Sequence, residues 1–398
     1  MASPVALAER RARAERLADE LELPSFKGRP GWEFTDISGL ELDSYGPAAG
    51  GPGAADVQPL FDVVSPPELP SGVIVSTIDE AAESHPELIE RHLGTIVAPD
   101  DLFVARNEAR FTGGAFVYVP RGVAVEEPIV LTAVQSAAST ELDRRTLIVL
   151  EEGAQAEVWE QYLSGAAELD AVFNVVTELA VGDGANLRYV SGQALSESSW
   201  IFGAQRAEVG RDGSLDWVAL GFGSARGRVR METKLAGEGA EARVTGAYAS
   251  RGRQHIDFDT TQEHAAPNTT SDLAFRGVLT GRSTAVWKGN IIVDPGAQKT
   301  DAFQDSRNLL LSKRAHADAI PGLEIQANDV RCTHAAAVAQ VDPEQLFYLR
   351  SHGLDLDVAR RLVVEGFLAA LVERFQDGPV RERLAAALER RLAAVLDS

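Results

Sequence analysis

The chain has 398 residues, is 45% hydrophobic, and carries 59 acidic against 38 basic side chains, for a net charge of −21. That is enough apolar material for a sizeable core and two or three structural units, and the wrong charge balance for a nucleic-acid binder. No window approaches the ~18 apolar residues of a membrane span, the opening MASPVALAERRARAERLADELEL lacks the apolar core of a signal peptide, and one cysteine, Cys332, cannot build a disulfide scaffold; the expected setting is a reducing cytoplasm.

Residues 1–100 are mixed in texture. Ala6 to Leu21 is predicted as a helix with Leu7, Ala14, Leu17, Ala18 and Leu21 on one side. The basic runs ERRARAER here and VRERLAAALERR near the C-terminus alternate with Glu and Ala and read as solvated helix faces. KGRPGWEFTDIS puts Trp32 and Phe34 in a Gly/Pro-rich loop, and both rings are expected to pin that loop to the core. GPAAGGPGAADVQP is a linker by composition. TIDEAAESHPELIERHLG predicts one or two short helices, with Pro86 starting the second and His85 and His92 at the surface.

Over residues 101–342 the helical period disappears and short alternating runs appear between glycines. LEEGAQAEVWEQ, VGDGANLRYVSGQ, GRDGSLDWVALG and AGEGAEARVTGAY each show an acidic-Gly turn, a small residue and an alternating strand. Aligned on Gly153, Gly184, Gly213 and Gly239 they step by 31, 29 and 26 residues, with a weaker copy at LTGRSTAVWKGNIIV. Such periods indicate stacked units, none able to bury its apolar face alone. Short strands without intervening helices favour a parallel β-solenoid, with a β-sandwich as the alternative.

Residues 343–398 return to helix. Asp342 is the expected N-cap, Pro343 the first helical residue, Gln345 the partner in a capping box, and Gly353 the stop. Leu356 to Phe375 follows 3–4 spacing, and a last helix carries Val380, Leu384, Leu388 and Leu392. These amphipathic helices offer a surface to a partner.

Few residues suggest chemistry. There is no Walker loop, dinucleotide fingerprint, HExxH or nucleophile elbow, and GFGSARG at 221–227 lacks the Lys-Ser/Thr ending of a phosphate loop. HIDFDTTQEH alternates, so His255, Asp257 and Asp259 share a strand face, as an exposed polar face or an acid–base cluster. Cys332 and His334, two apart in NDVRCTHAAAVAQ, also point the same way on a strand. Thiolate and imidazole together suit zinc, copper or an iron–sulfur cluster, but two ligands are half a site. The alternative is a small buried thiol with a hydrogen-bonded histidine beside it.

From Trp287 to Phe367, QDSRNLLLS, PGLEI, the C-x-H pair and DPEQLFYLRSHG occur in the order of the SufB/SufD family of iron–sulfur cluster assembly scaffolds, which this chain resembles. GRPGWEFTDIS resembles the N-terminal Trp loop of SufD-type members. The resemblance implies a mainly β fold: a right-handed parallel β-helix-like solenoid over 101–342, flanked by the N-terminal segment 1–100 and a helical domain at 343–398. It implies a non-catalytic, cytoplasmic scaffold that meets a SufB-type paralogue through C-terminal strands and carries the SufC ATPase on its C-terminal helices. His334 and Cys332 then lie where a nascent iron–sulfur cluster forms between chains, with His334 favoured as ligand, and a reduced flavin in the complex stays open. The chain reads CTHAAA where the family usually reads CSHGA, which puts Ala335 in the glycine place. With no cysteine besides Cys332, SufD-type is favoured over SufB-type. A homodimeric or SufB-like scaffold, and a carbohydrate-active β-helix enzyme using His255, Asp257 and Asp259, are the competing readings.

Overall fold

The computed structural model of the chain describes residues 4–26, 31–48 and 57–396. Residues 27–30 of the Trp loop and 49–56 of the expected linker lie outside the described residues. In chain order come α1 (Pro4–Glu20), β1 (Gly46–Pro47), β2 (Ile74–Ser76), α2 (Ile78–Ser84), α3 (Pro86–His92) and α4 (Leu102–Arg110). The strands that follow are β3 (Ala115–Val119), β4 (Ile129–Gln135), β5 (Thr140–Leu150), β6 (Gln155–Ser164), β7 (Val172–Val181), β8 (Asn186–Ala194), β9 (Trp200–Val209) and β10 (Ser214–Phe222). Then come β11 (Arg226–Leu235), β12 (Glu241–Ser250), β13 (His255–His264), β14 (Thr270–Leu279), β15 (Thr284–Val293), β16 (Asp301–Leu310), β17 (His316–Ile325) and β18 (Arg331–Gln340). The chain ends in α5 (Pro343–Ser351), α6 (Leu356–Val372) and α7 (Pro379–Leu396).

From β3 onward the solenoid strands pair in parallel with the strands two places away and not with one another in sequence order, while β2 joins the odd sheet antiparallel to β3. Odd strands therefore build one sheet and even strands the other, in the orders β17-β15-β13-β11-β9-β7-β5-β3-β2 and β18-β16-β14-β12-β10-β8-β6-β4. This is the predicted β-solenoid. Its lumen is filled by alternating inward residues such as Val158, Leu187, Trp217, Val244, Phe275 and Trp287.

The turns correct the predicted repeat register. Left-handed backbone falls two residues before each even strand from β6 to β16, at Gly153, Gly184, Asp212, Gly239, Asn268 and Lys299. The third copy thus turns on Asp212 (φ 52°), not on Gly213, and the first steps are 31, 28 and 27 residues. Asp tolerates this region better than most side chains, so an Asp-Gly pair does not say which residue carries the turn. The weaker copy, with Gly281 at its turn, leads into β15 and belongs to the other sheet.

Helices cover the outside. Leu7 of α1 packs with Ile78, Leu88, Phe116 and Leu147 against the first coils. The arginines of α1 are not simply solvated as expected: Arg10 bonds Leu93 O and pairs with Glu108, and Arg11 bonds Asp79 and Phe111 O. The α2–α3 pair forms as predicted, with a Thr77–Glu80 capping box and Pro86 at the second start. His92 is only half exposed, and its Nε2 is buried. Val364, Leu368 and Leu371 of α6 and Leu384, Leu388 and Leu392 of α7 lie on the outer face of the even sheet, on Val190, Val218 and Ala247. Asp342 caps α5 through the Glu344 N–H rather than in a box with Gln345, and Gly353 (φ 90°) follows its end. Among the described residues, no helix is long and apolar enough to cross a membrane.

Candidate functional site

The Trp loop lies over the outer face of the odd sheet. Trp32 is buried and stacks on Phe103, whose ring centroid is 5.5 Å away, with the Arg228 guanidinium 5.1 Å from the indole. Phe34 stays 39% exposed, so only one of the two aromatics pins the loop. The expected exposed face of His255, Asp257 and Asp259 is also corrected. The three share the outer face of β13, but the loop covers them.

The Thr35 hydroxyl donates to Asp257 Oδ2 at 2.5 Å and lies 3.1 Å from His255 Nε2, and His255 Nδ1 is 2.7 Å from Thr284 Oγ1. A proton on Nε2 satisfies all three contacts: Thr284 donates to Nδ1, Nε2–H donates to Thr35, and Thr35 donates to Asp257. Burial pushes His255 down to about 4 and Asp257 up to about 6. Asp259 accepts from Arg228. These side chains are spent on fastening the loop. GFGSARG is likewise structural: Gly223 and Ser224 make the left-handed turn between β10 and β11.

Cys332 and His334 sit on β18, the last strand of its sheet. Their register partners on β16 are Ala302 and Gln304, whose side chains are buried in the lumen. Alternation therefore puts both residues on one face of the strand, and that face is the lumenal one of the terminal coil. Cys332 is half-buried beside Ile291, Val293, Ala297 and Ala302. Burial, with the Asp301 charge second, pushes its thiol up and favours the neutral form. His334 is exposed and makes no hydrogen bond or ion pair within the described residues. No group of three or more His, Cys, Asp or Glu able to hold a metal occurs among the described residues. Ala335 lies in extended backbone opposite Asp305 and needs no glycine geometry.

The surroundings are open. β17 and β18 are ten-residue edge strands with no further strand on their outer side among the described residues. Leu323, Ile325 and Val338 on them stay partly exposed, and Phe347 of α5 is 75% exposed. A long, partly apolar edge is a template for another chain. Residue-level reading missed Gln304, Thr35 and the polar lumen. Gln304 stands in the QDSRNLLLS run, but only the register shows that it lies directly under His334.

The architecture defines the class: a two-sheet parallel β-solenoid with helical covers and a Cys–His pair on the terminal strand of one sheet. Residues 133–367 match the family described as "SUF system FeS cluster assembly, SufBD core domain", and residues 60–131 match the "SufBD protein N-terminal region". The chain belongs to the SufBD family. It is 34% identical over 325 residues to the iron-sulfur cluster assembly protein SufD of Bacillus subtilis, covering 81% of this chain and 74% of that one. It is 30% identical over 333 residues to an iron-sulfur cluster assembly SufBD family protein of Mycobacterium tuberculosis, covering 81% and 83%. A Staphylococcus epidermidis family member is 28% identical over 299 residues, covering 75% and 64%.

Proposed function

We propose that the chain is a SufD-like, non-catalytic scaffold subunit that supports iron–sulfur cluster assembly in the cytoplasm, together with a SufB-type paralogue and a SufC-type ATPase. One observation carries the reading: Cys332 and His334 share the lumenal face of the edge strand β18, with no third ligand beside them among the described residues. A half-site on a pairing edge is completed by a second chain. The cluster is cargo here. His334 is exposed on the strand, while Cys332 is half-buried and must give up its proton before it binds, so His334 is the primary ligand and Cys332 the secondary one.

In this reading, residues 1–100 close the solenoid, 101–342 carry the site, and 343–398 dock the ATPase. Support for the last role is the exposed Phe347 and Tyr348 of α5 and a cavity of about 500 Å³ between α6 and α7, where Leu368, Val372 and Leu388 meet Glu365 and Arg381. The same β17–β18 edge suits a second copy of this chain, which makes a homodimeric scaffold the second reading. Affinity capture of the tagged chain from its own cells, with the bound chains identified and weighed, separates them. An ABC-type ATPase and a cysteine-rich paralogue are expected. Recovery of the chain with itself alone favours the homodimer, and recovery of neither removes the scaffold reading.

A further inference from the structure

The last helix breaks its own pattern at Arg391. Leu384, Ala387 and Leu388 of α7 are buried in the cluster that packs on the even sheet. Arg391, three residues after Leu388 and seven after Leu384, stands on the same stripe of the helix. An apolar residue is expected there. Arg391 is half-buried instead, and its guanidinium makes no hydrogen bond or ion pair within the described residues. Burial, with the charge of Arg390 second, pushes its pKa down, and no neighbouring charge opposes the shift. A cation that is partly desolvated and unpaired costs stability, so its place on this stripe calls for a reason other than packing.

Arg391 lines a cavity of about 460 Å³ beyond the C-terminal ends of β6, β8 and β12, together with Ser164, Glu168, Ser196, Glu197 and Arg251. That volume lies in the range of small-molecule sites. Most of these groups are already committed. Glu197 accepts from Arg251 Nε at 2.6 Å, and Glu168, which is exposed, accepts from Ser198 Oγ at 2.8 Å. The buried Ser196 Oγ accepts the N–H groups of Leu169 and Ser198, which takes both its lone pairs. Ser164 Oγ accepts the N–H of Ser196. Among these groups, what remains is the guanidinium of Arg391 and the hydroxyl protons of Ser164 and Ser196, all of them donors. Donors around a cation suit an oxyanion, which takes two N–H groups of one guanidinium side by side and hydroxyl protons on its other lone pairs.

We propose that Arg391, with Ser164 and Ser196, forms a binding site for a small oxyanion, a carboxylate or a phosphate, between α7 and the ends of β6 and β8. The neighbouring Arg390 already ties α7 to the upstream chain, through a 2.8 Å hydrogen bond from Nη2 to Leu60 O. Arg391 adds a second tie only when the anion is present, so occupancy fastens the last helix to the solenoid. The site is independent of what His334 and Cys332 bind and of which chains join this one.

The test is thermal unfolding of the full chain titrated with inorganic phosphate and, separately, with acetate, each against chloride at matched ionic strength. A saturable rise in midpoint of about 1–3 °C beyond chloride is expected with at least one of the two. A response to phosphate alone identifies a phosphoryl ligand, and one to acetate alone a carboxylate. Arg391→Met is expected to abolish the response and, without anion, to unfold at a higher midpoint than the unmodified chain, because it puts an apolar side chain on the stripe and removes the unpaired charge. Ser164→Ala, which leaves the guanidinium in place, is expected to raise the half-saturating concentration several-fold. No rise beyond chloride with either anion, or the same half-saturation in both variants as in the unmodified chain, would overturn the proposal. So would a lower anion-free midpoint for Arg391→Met, which would mean that the protein itself satisfies the guanidinium.

Discussion

Thr35 and Asp257 stand 222 residues apart and share one 2.5 Å hydrogen bond, which fastens the N-terminal loop to the outer face of β13. The carboxyl lies in a fully buried place, so burial raises its pKa to about 6 although Arg228 and Thr35 oppose the shift. The native state thus holds a proton that the unfolded chain releases from about pH 4 upward. This contribution stabilises below the unfolded carboxylate pKa and is lost as pH rises through about 6.

His255, in the same network, has the opposite sign. Its pKa is depressed to about 4, so its neutral native form favours folding increasingly as pH rises from about 4 to 6.5. The two slopes offset one another in the unmodified chain. Asp257→Asn removes only the falling limb. Its stability relative to the unmodified chain should therefore climb between pH 4 and 6, by up to about 3 kcal/mol. Urea unfolding at four pH values measures it, and a pH-independent difference would contradict the assignment.

Glu178 fastens a second upstream segment. It pairs with the fully buried Arg145 at 2.6 Å and accepts the N–H groups of Gly94, Ile96 and Val97. Glu178→Ala leaves Arg145 buried with Glu108 at 3.7 Å as its remaining ion-pair partner. Such a break costs about 3–5 kcal/mol. Limited proteolysis should then cut around residues 92–98 well before the solenoid. Cleavage unchanged at these positions would show that the segment is held by something else.

Cys332 should be a slow nucleophile. Burial and the Asp301 charge both disfavour its thiolate. Alkylation of the isolated chain at pH 8 is expected to run slower than that of an unstructured cysteine peptide, with its rate profile displaced to higher pH. A rate equal to the peptide's would mean that the thiol is neither desolvated nor held neutral.

The solenoid was readable because its turns repeat an acidic-Gly signal ahead of alternating strands. The register within that signal was not, since Asp212 takes the left-handed turn that glycine takes elsewhere. Cys332 and His334 were readable as a same-face pair from spacing alone. That their missing ligands belong on another chain came from the family resemblance, and the structure adds the free outer edge of β18 that leaves room for one. The burial of His255 and Asp257 was hidden for a different reason: alternation reports which residues share a face, not whether a loop from far upstream covers it. Likewise, Gln304 looks solvent-facing in a polar run, whereas in a closed solenoid every second residue is internal whatever its polarity.

The proposed role of His334 is to supply a ligand to a cluster assembled between chains. The most direct measurement is cluster formation on the complex purified with its SufB-type paralogue and ATPase, comparing His334→Ala with the unmodified chain and with Cys332→Ala. His334→Ala is expected to lower the cluster formed by about tenfold or more while the complex stays intact, and Cys332→Ala to lower it less. A His334→Ala complex that assembles cluster at the unmodified rate and yield would contradict the account.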